Sequence, residues 1–250
     1  AAAAAAAVKT LRTMIFLLVA WLRLQAPGQR REAPAAPAGG QDHHLRGRGE
    51  PGQVQGDAAL EGGPVATARI LPLLWNGTWD HDVSQNRDAL LAAIGLPGPV
   101  DILDLGCGPG RDLVAFQAMG HRPVGLDGCA AFVEMARQQT GLPVLHQDFL
   151  DLNLPAAAFD GVFANAVLFH IPSAELPAVL TALRHSLRPG GVLFSSNPRG
   201  QGQEGWNGQR YGCYYSWEQW SERLEQAGFE YIEHFYRPTD RPPQEQHWLA

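Results

Sequence analysis

Three glycines spaced two apart, Gly106, Gly108 and Gly110, follow directly on the apolar run Val100–Leu105, and Arg111-Asp112-Leu113-Val114-Ala115-Phe116 continues with helical character. Glycine lacks a Cβ, so the backbone can turn sharply and approach a ligand closely. A strand handing over to a helix through such a loop is where nucleotide-type cofactors bind in open α/β sheets. The register narrows the chemistry. A dinucleotide fingerprint places its third glycine three residues after the second, where this chain has Arg111. No Gly-Lys-Ser/Thr follows, so the loop is not a P-loop either. A purely structural glycine turn stays open at this point.

Two acids stand where further cofactor contacts would be made. Asp127 ends the short run Arg122–Asp127. Its carboxylate could accept both hydroxyls of a ribose, or cap the next helix. Asp148, followed by Phe149, comes after Leu142–His146. It could take an amino proton from a purine, or be a solvated loop acid.

The elements that position these residues alternate. Helices are expected over Asp82–Ile94 (with Asp82 and Gln85 as a capping box), from Arg111 to about Met119, over Ala130–Gln139, from Ser173 as cap to about Leu187, and from Ser216 through Gln226 with Ser216 and Gln219 as a second box. Strands are expected at Val100–Leu105, Arg122–Asp127, Leu142–His146, Phe159–Asn165, Val192–Ser196 and Phe229–Tyr236, with Arg188-Pro-Gly-Gly191 as the turn into the fifth. Alternating strands and helices imply a doubly wound, Rossmann-like, mostly parallel α/β sheet with helices on both faces.

Ordered in this way, Asp104-Leu-Gly-Cys-Gly-Pro-Gly110, Gly125-Leu-Asp127, Gln147-Asp148-Phe149, Phe159-Asp160 and Leu187-Arg-Pro-Gly-Gly191 resemble the successive motifs of class I S-adenosylmethionine-dependent methyltransferases, of the branch acting on small molecules. The resemblance covers roughly residues 79–235 and implies a seven-stranded sheet with S-adenosylmethionine as cofactor. Gly106, Gly108 and Gly110 would lie under its methionine and ribose. Asp104 would contact the methionine end, Asp127 the ribose hydroxyls, and Asp148 with Phe149 the adenine. Asn165 would face the sulfonium side. The chain departs from the pattern twice: Asn165-Ala-Val-Leu replaces the Asn-Pro-Pro-Tyr of base-modifying relatives, and the seventh strand is cut short at His247-Trp-Leu-Ala250.

Methyl transfer needs a base only when the acceptor arrives protonated. His170 is the candidate, with packing as its bland alternative; Tyr211 and His81 are weaker ones. The segment after Asn197 is rich in glycine and aromatics and suits a lid over a small acceptor. Trp206, Arg210 and Tyr211 are assigned to that acceptor, while Trp79 with His81 would close the other side. Tyr214, Tyr215, Trp217 and Trp220 would dock the last helix.

Composition bounds the partners. Residues 69–250 carry 12 arginines, no lysine and 20 carboxylates, a poor match for a phosphate backbone, so nucleic acid is not an expected substrate. Cys107, Cys129 and Cys213 show no paired or metal-like spacing, so no metal is expected; Cys213 alone is a candidate for touching substrate. The domain is placed at 69–250. Residues 1–68 read as an extension, with 26–68 too poor in large apolar residues to fold. Nine apolar residues from Met14 to Leu22 are too few to span a bilayer, so no stable membrane insertion is expected. They fit a secretory signal, an organellar transit peptide, or a segment of no role. A cytoplasmic location is expected unless that stretch is a real address. Oligomeric state is not legible. A non-catalytic binding or assembly module is the competing function, ahead of a nicotinamide oxidoreductase.

Overall fold

The computed structural model describes residues 82–207 and 210–250. Trp79 and His81, the extension, and the apolar stretch Met14–Leu22 lie outside them. In chain order the elements are α1 (Ser84–Ile94), β1 (Asp101–Leu105), α2 (Arg111–Ala118), β2 (Arg122–Asp127), α3 (Ala130–Thr140), β3 (Val144–His146), β4 (Phe159–Asn165), a 3-10 turn (Leu168–His170), α4 (Leu176–Ser186), β5 (Leu187–Pro198), β6 (Gln203–Asn207), β7 (Arg210–Tyr214), α5 (Trp217–Gln226), β8 (Tyr236–Arg237), a second 3-10 turn (Pro243–Glu245) and β9 (Trp248–Leu249).

Seven strands form one sheet in the order β3-β2-β1-β4-β5-β9-β8, and β6 and β7 make a separate hairpin. The first five strands of that order are parallel; β9 runs antiparallel between β5 and β8. The Rossmann-like expectation holds. The seventh strand, expected only to begin, is present as a two-residue β9 whose Leu249 pairs with Asn197.

Strand alternation divides the core. Leu103, Leu105, Val162 and Ala164 face one side and pack with Leu176, Leu180 and Leu183 of α4 and Trp220 of α5. Ile102, Phe163 and Phe194 face the other and pack with Leu90 of α1 and Phe116 of α2. On that second face Phe116 meets Phe163 edge-on at 5.3 Å and Phe163 stacks on Phe194 at 5.2 Å. Strands buried on both faces carry apolar residues on both, as β4 does with Val162, Phe163 and Ala164.

Several boundaries move for identifiable reasons. Asp82 does not form a capping box: Val83 is the N-cap, and the Asp82 carboxylate accepts the Ser84 N–H at 2.8 Å instead. Ser173 does not cap α4, which starts at Leu176; its N–H goes to Glu204 at 3.0 Å. Arg188-Pro-Gly-Gly191 is an irregularity within β5, between the pairs Phe159–Leu187 and Gly161–Val192. The strand expected at 229–236 reduces to Tyr236–Arg237. Ser216 and Gln219 do form the reciprocal box that opens α5.

The amino ends of the strands are tied by charge. Arg188 Nη1 lies 2.9 Å from Asp101 and 2.8 Å from Asp160, and Arg122 adds a bidentate pair to Asp101.

Candidate functional site

The carboxyl ends of β1, β2, β4 and β5 lie along one edge of the sheet, and the residues singled out for chemistry collect there. The loop after β1 is held down by Gly106 and Cys107, whose N–H groups donate to the Leu126 carbonyl of β2 at 2.7 and 3.1 Å. Gly106, Gly108 and Gly110 all have positive φ. Two of them are also hemmed in. A Cβ on Gly106 would stand 2.8 Å from Val167 Cγ2, and one on Gly110 the same distance from Thr140 Cγ2. Gly110 therefore lets α2 begin against α3, a packing role. Of the three, only Gly108 has open space on its side-chain face.

Asp127 is buried at 2% exposure. Its Oδ1 accepts the Cys129 N–H at 2.8 Å and its Oδ2 the Gly108 N–H at 2.9 Å. It thus braces the glycine loop and Cys129, the N-cap residue of α3, at once. Burial pushes its carboxyl up to about 6, against the pull of those hydrogen bonds. Asp104 is buried at 3%, and its Oδ2 has no protein partner. Burial first, then repulsion from Asp112 and Asp127, hold it well above the usual carboxylate range. An unpartnered buried acceptor is costly, and a ligand's N–H or ammonium would relieve it.

Two contacts bring α1 over this edge. Asn86 donates to Asn165 Oδ1 at 2.8 Å, and Arg87 pairs with Asp112 at 2.6 Å. Asn86 is fully buried, and its own oxygen is also unpartnered, as are Ser196 Oγ and both amide atoms of Asn197. Neither Asn86 nor Ser196 carried a motif in the sequence; only the crossing of α1 over the strand ends selects them. Asp148, half-buried past β3, accepts the Leu150 N–H at 3.0 Å. Phe149 turns into the core, at 3% exposure, close to Val167 and Gly106.

The acceptor-side residues lie around the β6–β7 hairpin. His170 is buried on the 3-10 turn after β4, its Nδ1 2.9 Å from the Tyr211 carbonyl and its ring against Phe169. Tyr211 donates its hydroxyl to Glu204. Trp206 is 54% exposed and meets Tyr211 edge-on at 5.6 Å. The side chain of Arg210 is outside the described set. Cys213, the cysteine expected nearest a substrate, is instead fully buried, with Sγ donating to the Ile171 carbonyl at 3.2 Å. Tyr215 stacks on Trp220 at 5.7 Å and docks α5.

A groove of about 830 Å³ lies elsewhere, between β5, α1, α5 and residues 228–235. Its lining includes no glycine-loop residue and none of Asp104, Asp127 or Asp148, so it is not where the convergent polar groups point.

Residues 102–191 match the family described as methyltransferase domain. The chain is similar to trans-aconitate 2-methyltransferase of Azoarcus sp. (strain BH72), 40% identical over 124 residues, which are 48% of this chain and 47% of that protein. It is similar to malonyl-[acyl-carrier protein] O-methyltransferase of Serratia marcescens, 34% identical over 134 residues, 51% of each. The chain thus spans about half the length of these curated relatives. In fold it is similar to 1,6-didemethyltoxoflavin-N1-methyltransferase of Burkholderia thailandensis, crystallised with its namesake compound and S-adenosylhomocysteine. That match has a TM-score of 0.58 and 23% identity, and covers 78% of this chain and 90% of that one. No helix among the described residues is long and apolar enough to cross a membrane.

Proposed function

We propose that this chain is a class I S-adenosylmethionine-dependent methyltransferase and transfers a methyl group from S-adenosylmethionine to a small-molecule acceptor. The observation that carries this reading is the buried, unpartnered Oδ2 of Asp104 beside a glycine loop whose one open face is at Gly108. When bound, the cofactor supplies a methyl group already activated on a sulfonium.

The protein's part is to hold, orient and dry the reactants. Asp104 would take the amino group of the methionine end. Asp127 would take the ribose hydroxyls on lone pairs that its two backbone hydrogen bonds leave over. Asp148 would take the adenine amino group, with Phe149 supporting the loop from beneath. Asn165, held by Asn86, would border the methyl. Fixing donor and acceptor in line contributes on the order of 7–11 kcal/mol to such a step. His170 would receive the proton of a hydroxyl or amine acceptor, and Trp206, Arg210 and Tyr211 would close over it. An acceptor carboxylate arrives ionised and needs no base.

The names of the first relatives, trans-aconitate and malonyl-[acyl-carrier protein] methyltransferases, put small carboxylic acids first among acceptors to try. Calorimetric titration with S-adenosylhomocysteine, followed by turnover on a panel of acids, phenols and amines, tests the proposal. Absence of cofactor binding would sink it, and binding with no methylated product on any acceptor would favour a non-catalytic binding or assembly module.

A further inference from the structure

The β6–β7 hairpin pairs with no strand of the seven-stranded sheet among the described residues. A two-stranded hairpin alone is marginal in water, so something must hold it. Three contacts along one short stretch do so. His170 meets the Tyr211 carbonyl, Cys213 donates to the Ile171 carbonyl, and the Ser173 N–H donates to Glu204. The hairpin register places Trp206 opposite Tyr211 and Glu204 opposite Cys213. Directly opposed residues share a face of the ladder, so these four stand on the face turned to residues 170–173.

Glu204 is the junction of this arrangement. Oε1 accepts both the Ser173 N–H, at 3.0 Å, and the Tyr211 hydroxyl. Its carboxylate therefore links the start of the turn before α4 to the residue whose carbonyl meets the imidazole. Desolvation opposes the charge there, but hydrogen bonds from Ser173 and Tyr211 outweigh it and hold Glu204 down to about 2, so the junction is anionic throughout the neutral range.

A carbonyl oxygen only accepts. The Nδ1 of a neutral His170 must therefore carry the proton in order to bond Tyr211, and Nε2 is then the basic nitrogen. We propose that Glu204 is a positioning residue: by pinning the hairpin to Ser173 it presents the Tyr211 carbonyl to Nδ1 and so selects the tautomer of His170. This rests on the proposed function only in placing His170 beside the acceptor; the tautomer itself is set with or without methyl transfer.

The experiment is two-bond ¹H–¹⁵N correlation on the full chain labelled with ¹⁵N-histidine, read above the titration of the ring, alongside turnover and S-adenosylhomocysteine affinity. His170 is expected with its proton on Nδ1. Glu204→Ala should move the proton toward Nε2, lower kcat roughly tenfold to a hundredfold on a protic acceptor, and leave S-adenosylhomocysteine affinity unchanged. Glu204→Gln keeps an acceptor oxygen and should restore both tautomer and rate. If Glu204→Ala fails to fold, Tyr211→Phe, which removes one of the two donors and keeps the carbonyl, should give a partial shift of the same sign. A wild-type ring protonated on Nε2, or a tautomer indifferent to these substitutions, overturns the proposal. A tautomer that follows Glu204 in a protein without turnover keeps it and removes the enzymatic reading instead.

Discussion

Asp127 Oδ2 accepts the N–H of Gly108 at 2.9 Å while its other oxygen accepts the N–H of Cys129. One buried carboxylate thus couples the open point of the glycine loop to the first turn of α3. That makes the loop's shape depend on a titratable group held near 6. The folded state binds this proton more tightly than the unfolded chain, whose carboxyl titrates near 3.8. Ionisation of Asp127 therefore costs stability, which falls as pH rises from about 4 to about 6 and is level above that. Binding has the opposite sign, because ribose hydroxyls donate best to the anion. Affinity for S-adenosylhomocysteine should be constant above pH 6 and fall by up to about tenfold per unit below it. Isothermal titration across pH 5–8 checks this, and Asp127→Asn should weaken binding and flatten the profile.

Asp104 gives a second electrostatic outcome. Burial and two neighbouring carboxylates favour its protonated form, and an ammonium brought against it favours the anion. Cofactor binding should release a proton. The observed binding enthalpy near neutral pH should then vary with the ionisation enthalpy of the buffer, and Asp104→Asn should remove much of that dependence.

Gly106→Ala meets two obstacles, a φ of 70° and Val167 Cγ2 at 2.8 Å from the new methyl. A left-handed conformation costs a side chain ~1–2 kcal/mol and overpacking about 1–3. Denaturant melts should show a loss of about 2–5 kcal/mol. Adding Val167→Ala should recover the packing part and leave the backbone part.

Trp206 is half exposed and touches Tyr211 by its edge. Trp206→Ala should therefore cost little stability, about 1 kcal/mol for the aromatic pair. It should raise the acceptor KM by roughly tenfold, or about 1.4 kcal/mol of binding, without changing S-adenosylhomocysteine affinity. Equal losses in both ligands would show that the hairpin supports the cofactor side instead.

Arg188 joins Asp101 and Asp160 at the opposite end of the sheet from the glycine loop. Its guanidinium is partly exposed, so Arg188→Met should lower the melting temperature only slightly, with turnover and cofactor affinity intact.

Much of this architecture was legible in the chain itself. β4 is found at Phe159–Asn165 as expected, because Phe159 and Val162-Phe163-Ala164 supply apolar side chains to both faces of a covered strand. The Ser216–Gln219 box was readable because capping is local chemistry. Phe229–Tyr236 misled because aromatic residues favour strands in general, yet Trp217 stacks on His234 at 4.0 Å and lies 5.0 Å from Tyr231, so these rings pack on α5 rather than following a ladder. The β6–β7 hairpin was taken for an irregular lid. Its signal was the glycine-led pair Gly208-Gln209 between two aromatic-bearing runs, hidden by the surrounding glycines. Within the candidate site, the glycines and strand-end acids announce themselves by spacing. Asn86 and Glu204 do not, since their partners Asn165 and Ser173 are 79 and 31 residues away in sequence.

The hairpin's independence from the main ladder has an evolutionary consequence. Cys213 and Tyr215 root it in the core, while the outer half, residues 203–207, is largely exposed. Drift in that outer half breaks no hydrogen bond of the seven-stranded sheet and leaves the cofactor edge untouched. Under the proposed function, a lineage carrying this scaffold would exchange one acceptor for another by rewriting a handful of hairpin positions, provided Glu204 and the two roots are kept. Grafting residues 205–207 from a relative of different specificity, with Glu204 left in place, is the corresponding route to retargeting the protein by hand.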